Sequence, residues 1–279
     1  MINLKIMYRF LFLFTLLIIT GCFSFAQEAN FNGARNESLA GATVALQTSW
    51  SLFTNPSGIG YHEKTLMVGY QSKYVQLGIH DGAFGFTFPV QNTALGMGVA
   101  YFGDELLSKS KAIASAAHKI GKTTLGAKVT YEQWRISELG SKGIFYVDIG
   151  GQMEITHQFS IGMVLTNLTQ SKFDTLSYNS PVTKVQVGIN YHPHENLILL
   201  AQIDKDVSNP ALLRIGMEYK VSSLVIVRTG VMPNPTSGFA GLGLHWQQLR
   251  LDLSGSYQQN LGWSGSVSID IPLTMSNAK

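Results

Sequence analysis

From residue 64 onward, apolar and polar side chains alternate with a period of two, and this pattern limits the possible folds more than any other feature. Residues 184–191, 213–220 and 250–257 each carry an apolar face backed by a face of polar residues and glycine. Such alternation is typical of a β-strand whose two faces lie in different environments. The pattern predicts an all-β fold for most of the chain.

The connections between these segments alternate between short and mostly longer ones. A transmembrane antiparallel up-and-down β-barrel has this arrangement, with tight turns at one end and longer loops at the other. We therefore predict such a barrel over residues 64–273, with about fourteen strands. The short connections are 90–93, 119–122, 157–158, 192–196, 220–223 and 247–249, and the longer ones are 103–109, 135–143, 167–181, 204–210, 232–238 and 258–262.

Composition and strand length favour a membrane barrel over its alternative, a soluble β-sandwich or propeller. Only 13% of the 279 residues are charged, against about 25% in typical soluble domains. The predicted strands run to about ten residues, the length that a tilted strand needs to cross a bilayer. Aromatic residues also gather near predicted strand ends, as in the girdles at membrane interfaces. These residues are Tyr70, Tyr101, Trp134, Tyr191, Tyr219, Trp246 and Tyr257.

Residues 1–26 resemble a secretory signal peptide. Lys5 and Arg9 precede an apolar run over residues 10–19, and small residues lie before a cut after Ala26. The run is shorter than the ~20 residues that a spanning helix needs. A second possibility stays open, because Ile-Thr-Gly-Cys at residues 19–22 resembles a lipobox, which would place a lipid on Cys22.

The charge balance excludes one class of partner. Of the 20 lysines and arginines, two belong to the predicted signal peptide, which leaves 18 basic residues against 17 acidic ones. No basic patch remains that would indicate binding to nucleic acid.

Residues 27–63 precede the barrel and differ from it, because they have the composition of a small-residue helix and turn. Such a slim segment could plug or gate the lumen of a barrel, and the alternative is a surface arm. Trp50, Leu52 and Phe53 require burial, which favours the plug. A proline followed closely by glycine is expected to stop any helix here and open a turn. The residues that we assign to plugging or gating are Asn55, Pro56, Ser57 and Gly58.

The alternation places charged side chains of both signs on the inward face, in nearly equal number. A wide, ion-selective pore would favour one sign. Balanced charges indicate either ion pairs around a plug or residues that only hold the barrel closed. The one hint of an apolar pocket is the set Ile198, Leu200, Leu224 and Ile226. The charged residues assigned to the lumen are Lys128, Glu132, Lys184, Arg214, Glu218, Arg250 and Asp252.

We find no motif that indicates an enzyme, a metal site or a cofactor. His192 and His194 have a spacing that could hold a metal, but they fall in a predicted turn with only Glu195 nearby. No nucleophile motif precedes a helix, and no glycine-rich stretch continues as a phosphate-binding loop. Glycines within predicted strands, such as Gly126 and Gly241, are expected at kinks or where a plug approaches closely.

The N-terminal part of the mature chain resembles the opening of the PorV/PorQ-type outer-membrane proteins of Bacteroidetes, a branch of the FadL-like barrels. The matching blocks are Gly-Ala-Arg at 33–35, Leu-Ala-Gly-Ala at 39–42 and Leu-Phe-Thr-Asn-Pro-Ser-Gly at 52–58, with a weaker match at 164–168. The resemblance implies a fourteen-strand barrel in the outer membrane of a Gram-negative cell. A short tail at 274–279 would follow it.

Two functions follow from this resemblance. The first is an accessory role in type IX protein secretion or surface attachment, through binding to other proteins. The alternative is FadL-like passive transport of long-chain fatty acids or other hydrophobic small molecules. The expected partners are outer-membrane lipid together with secretion-system proteins or a hydrophobic ligand. Both chain termini are expected in the periplasm, because an even number of strands returns the chain to the side where it started.

Overall fold

A computed structural model of the chain describes residues 31–61, 63–173, 181–207 and 209–273. The predicted signal peptide with Cys22, and the tail at 274–279, lie outside these residues. Most of the described chain forms fourteen strands. They are β1 Thr65–Lys73, β2 Ile79–Val90, β3 Thr93–Gly103, β4 Leu107–Ile120, β5 Thr123–Ile136, β6 Gly140–Thr156, β7 Phe159–Thr166, β8 Lys184–His194, β9 Leu197–Asp206, β10 Leu212–Lys220, β11 Val225–Met232, β12 Ser237–Trp246, β13 Leu249–Gln258 and β14 Gly262–Pro272.

The strands form one closed antiparallel barrel in which each strand pairs with the next along the chain. β1 and β14 close the ring, with Thr65 opposite Pro272. Closure leaves no strand edge unpaired. The predicted up-and-down barrel is therefore confirmed. We call the end of the barrel that carries Thr65 and Pro272 the terminal end and the opposite end the loop end.

The two faces of the sheet have the expected environments. On β5, Leu125 and Val129 point outward and are exposed, whereas Lys128 and Thr130 point inward and are buried. The exposed apolar band is the surface that such a barrel presents to lipid. Among the described residues, no helix is both long and apolar enough to cross a membrane.

One predicted girdle residue was assigned to the wrong face. Trp134 is buried inside the barrel, where its ring lies 3.8 Å below the Lys109 ammonium group and packs edge-on against Phe173. The period of two explains this position, because Trp134 lies two residues after the inward-facing Glu132.

The segment before β1 fills the lumen as a plug. It contains helix α1 (Ala34–Ser38) and two 3-10 helices, Ser49–Leu52 and Pro56–Tyr61. Helical structure before Pro56 ends at Leu52, as expected, but a further 3-10 helix begins at Pro56 where a turn was expected. Proline is accepted in the first turn of a helix, where its missing N–H has no partner to lose.

Aromatic side chains anchor one half of the plug. Trp50 packs edge-on against Phe31 and at a tilt against Phe53, with ring centroids 5.6 Å apart in both pairs. The burial that these bulky residues require is supplied by the inward face of the barrel. The cluster comprises Phe31, Trp50, Leu52, Phe53, Ile59, Met67, Ala83, Ala94, Ile113 and Ala117.

Inward-facing glycines make room for the plug. A Cβ atom on Gly126 would lie 2.5 Å from the backbone of Pro56, and one on Gly150 would overlap the side chain of Asn55. Gly241 likewise lies against Ser38. Gly126 and Gly241 are therefore sites of close approach by the plug rather than kinks.

Candidate functional site

Helix α1 of the plug is held by a buried charge network. The Arg35 guanidinium donates two hydrogen bonds to the Glu218 carboxylate, with N–O distances of 2.8 and 2.9 Å. Arg228 donates to Glu218 and to Asp252, at 2.6 Å each. Because each carboxylate has a cationic partner, the cost of burying the charges is offset. Glu218 and Asp252 thus connect the plug to β10, β11 and β13.

A second anchor lies nearer the terminal end of the barrel. Asp270 accepts hydrogen bonds from Trp50 Nε1 at 2.6 Å and from Ser49 Oγ at 3.0 Å. The backbone N–H of Ala34 donates to Ser268 Oγ at 3.0 Å. Both barrel residues are on β14, so this strand holds two separate parts of the plug.

Amide side chains satisfy the irregular backbone in the middle of the plug. Gln152 Nε2 donates to the carbonyls of Val44 and Leu46, at 2.9 and 2.8 Å. Gln202 Oε1 accepts from the Val44 N–H at 2.9 Å. These bonds replace the helical partners that this stretch lacks. Leu39 and Val44, in a segment whose composition predicts helix and turn, lie outside the helices of the plug.

The four residues assigned to plugging or gating lie within the plug and bind mainly to it. Asn55 Nδ2 donates to the Val44 carbonyl at 2.7 Å, and Asn55 Oδ1 accepts from the backbone N–H and hydroxyl of Ser57. A Cβ atom on Gly58 would overlap the plug's own Ser51. Pro56 begins the second 3-10 helix. These residues fix the shape of the plug.

Two of the assigned lumen residues form buried clusters. Lys128 pairs with Asp148 at 2.9 Å, and its ammonium group also donates to the plug carbonyls of Phe53 and Thr54. The sequence pattern can place such a lysine inside but cannot indicate that it binds the plug backbone.

Glu132 is fully buried on the same strand. It pairs with Lys111 at 2.9 Å and accepts hydrogen bonds from Tyr146 Oη and Trp134 Nε1. Its carboxylate joins β4, β5 and β6. None of these bonds involves the plug.

The remaining assigned residues differ in position. Arg214 pairs with Asp204 at 2.9 Å and donates to the plug carbonyl of Ala40 at 2.7 Å. Lys184 lies at the loop end, on the wall of a cavity. Arg250 lies near the terminal end with its side chain 40% exposed, 3.7 Å from Glu63.

A cavity of about 160 Å³ lies on the loop side of the plug. Its wall combines apolar residues with charged and amide side chains. The apolar set expected from the sequence does not form this wall, because Leu200 and Ile198 pack on the plug and Leu224 is exposed in a turn. The residues that carry the wall's character are Phe31, Glu37, Phe53, Gln71, Lys73, Lys111, Ile113, Lys128, Glu132, Asp148, Val164, Lys184, Gln186, Gln202, Arg214 and Phe239.

Several of these residues were missed by the sequence analysis. Gln71 and Gln202 lie on the inward face of the period-two pattern, and that period was the available signal. Only charged residues were selected from the inward face, so these two amide side chains were not included. Within the described ranges, no group of three histidine, cysteine or acidic residues is placed to hold a metal ion.

No protein-family model matches the chain, and no curated protein matches it. Solved structures do. The monoaromatic hydrocarbon channel CymD has a TM-score of 0.60 and 12% identity, over 86% of this chain and 96% of CymD. The deltaS2S3 mutant of the monoaromatic hydrocarbon channel TodX has a TM-score of 0.67 and 10% identity, over 86% of this chain and 97% of the TodX chain. The chain has the fold of an outer-membrane channel. At such low identity the likeness establishes the fold alone.

Proposed function

We propose that this chain is a plugged outer-membrane channel for the passive transport of long-chain fatty acids or other hydrophobic small molecules. The observation that carries the proposal is the cavity on the loop side of the plug, which is large enough for a small molecule and is closed below by the plug itself. Phe31, Phe53 and Phe239 supply apolar wall. CymD and TodX, which share the fold, are monoaromatic hydrocarbon channels.

Passage requires the plug to move. The plug is packed against inward glycines around the barrel, so no wide path remains beside it. The contacts that hold it are hydrogen bonds, ion pairs and apolar packing, which can break and re-form. Arg35 with Glu218, and Trp50 with Asp270, are polar anchors between the plug and the barrel.

A reversible tether tests this proposal. A Cβ atom on Gly216 would lie 2.9 Å from the carbonyl oxygen of Leu39 and 3.1 Å from its Cβ atom, so the plug has to yield by a few tenths of an ångström to reach the ~3.8 Å spacing between Cβ atoms across a disulfide. We expect cells that produce the Leu39→Cys, Gly216→Cys protein to take up radiolabelled oleate or toluene slowly when it is oxidised and faster after reduction. The Leu39→Cys single variant is the control for the redox treatment.

Two results would count against the proposal. If cells with folded wild-type protein take up neither compound faster than cells without it, the chain is not a channel for hydrophobic molecules. If uptake is present but the tether leaves it unchanged, transport does not require the plug to move.

A second candidate is an accessory role in type IX secretion or surface attachment. Apolar side chains are exposed at loop tips, with Leu139 at 82% and Val207 at 88% exposure and Leu106 and Val75 also exposed. Exposed apolar residues at loop tips fit a surface that binds another protein. Native purification in mild detergent followed by mass spectrometry tests this, and recovery of the barrel without any stoichiometric protein partner would count against it.

A further inference from the structure

Most charged residues on the cavity wall have a partner in an ion pair. Lys111 pairs with Glu132, Lys128 pairs with Asp148, and Arg214 pairs with Asp204. Two wall residues differ. Among the described residues, neither Glu37 of the plug nor Lys73 of β1 forms a salt bridge, although each lies within electrostatic range of the other, and Glu37 accepts a hydrogen bond from the Gln71 side chain.

Next to this pair lie oxygen atoms without a hydrogen-bond donor. Gln71 and Asp81 face each other across β1 and β2 and are 3% and 2% exposed. In the described part of the chain, Gln71 Oε1 and Asp81 Oδ2 have no partner, and neither does Asn32 Oδ1 on the plug. The backbone N–H of Phe31 also contacts Asp81, which places Asn32 in the same corner.

This corner, which we call the acceptor corner, is formed by Asn32, Glu37, Gln71 and Asp81. Buried acceptors without a donor cost free energy until a donor arrives. Lys73 and Arg214 lie within electrostatic range of Glu37, and Lys73 and Lys111 lie within range of Asp81, so the unpartnered oxygens, rather than net charge, define what the corner can bind. A ligand group with several N–H donors meets this requirement, and an ammonium group supplies three. A hydrocarbon or a carboxylate supplies none.

We propose that the acceptor corner binds the ammonium group of a small amphipathic amine. This inference rests on the proposed channel function and, among the hydrophobic small molecules that it covers, assigns amphipathic amines rather than fatty acids to the same cavity. Asn32, Glu37 and Gln71 line the cavity directly, and the apolar part of the ligand would pack against Phe31 and the other apolar wall residues. The ammonium group can belong to a simple amine or to a zwitterionic amino acid, whose carboxylate Lys73 would receive.

Four compounds that share a phenyl group separate the alternatives. They are phenethylamine (a cation), phenylalanine (a zwitterion), 3-phenylpropionate (an anion) and ethylbenzene (neutral). Calorimetric titration of the purified full-length protein in detergent, corrected for detergent alone, measures each affinity. We expect phenethylamine or phenylalanine to bind about tenfold more tightly than both other compounds, because a charge-assisted hydrogen bond accounts for a difference in affinity of about this size.

Variants assign the effect to the corner. Glu37→Gln and Asp81→Asn keep side-chain size and are each expected to weaken binding of the ammonium compound by about tenfold, while ethylbenzene binding stays unchanged. Thr166→Val is the matched control, because Thr166 lines the same cavity from β7. Because Glu37 lies on the plug, its substitution leaves every barrel strand intact, so this variant remains informative if Asp81→Asn fails to fold.

Tighter binding of phenylalanine than of phenethylamine would support a zwitterion held in part by Lys73, and the reverse order would support a simple amine. The inference is overturned if 3-phenylpropionate or ethylbenzene binds as tightly as either ammonium compound, or if Glu37→Gln leaves the order unchanged. It also fails if neither ammonium compound binds. In that case hydrocarbon uptake by cells still tests the channel function separately.

Discussion

Gly150 and its neighbour Gly151 provide a test of how closely the plug fits the barrel. The two glycines are adjacent on β6 but face opposite sides of the sheet. A Cβ atom on Gly150 would overlap Asn55, whereas the nearest atom to a Cβ on Gly151 is 3.4 Å away, on a flexible leucine. We expect Gly150→Ala to destabilise the protein by about 1–3 kcal/mol and Gly151→Ala to change stability by about 0.5 kcal/mol or less.

Urea unfolding of both variants and the wild type, under the same lipid conditions, measures this difference. Equal stability of the two variants would mean that the plug yields easily at Asn55. The glycine would then have a different role from the one that its contacts indicate.

Glu37 gives stability a specific dependence on pH. Burial in the lumen raises the pKa of Glu37 above its ordinary value of 4.5, and the nearby charges of Lys73 and Arg214 only partly oppose this shift. The folded protein therefore holds this proton more tightly than the unfolded chain, so the contribution of Glu37 to stability decreases as pH rises from 4.5 through its folded pKa.

Glu37→Gln removes this titration. Relative to wild type, its thermal midpoint should rise as pH increases across that window and should show no further trend below pH 4.5. Asp81, Tyr74, Lys73 and Arg214 interact electrostatically with Glu37, so the difference between the two proteins measures the titration of Glu37 together with its coupling to these groups. A relative loss of stability in the variant as pH rises would contradict the shift.

At the scale of elements, the strands were predictable and the internal structure of the plug was not. Strands such as β10 repeat one simple alternation, because each residue faces either the outer surface of the barrel or its lumen. The plug has no such repeat. Its backbone follows partners supplied by the barrel, such as Gln152 and Gln202. Its composition could therefore indicate a filling segment, but it could not place α1 or the 3-10 helix that begins at Pro56.

The same distinction explains the lumen assignments. The period of two identifies which charged residues point inward, but the choice of partner depends on contacts between residues distant in sequence. Arg35 meets Glu218 across 183 positions, and Trp50 meets Asp270 across 220. No local pattern contains this information. The acceptor corner likewise forms only when the plug brings Asn32 and Glu37 beside β1 and β2.

For the molecule as a whole, the functional proposal requires plug and barrel to differ in stability. Each barrel strand is hydrogen-bonded to two neighbouring strands in a closed ring, so separating any one strand breaks its backbone hydrogen bonds to both neighbours. The plug is held by separate anchors at Glu218, Asp270 and Lys128. Segments with fewer cooperative contacts open at lower free energy and exchange their amide hydrogens as a unit.

Hydrogen exchange followed by mass spectrometry on the full-length protein in lipid nanodiscs measures this difference directly. We expect the amides of residues 31–61 to exchange together and faster than those of β4 and β5, which pair without interruption from Leu107 opposite Ile136 to Ile120 opposite Thr123. Asp270→Asn should accelerate exchange in the plug further while leaving β4 and β5 unchanged, because it weakens the hydrogen bonds to Trp50 and Ser49. If the plug instead exchanges as slowly as the strands in both proteins, it is part of the rigid core, and a channel that opens by moving it is excluded.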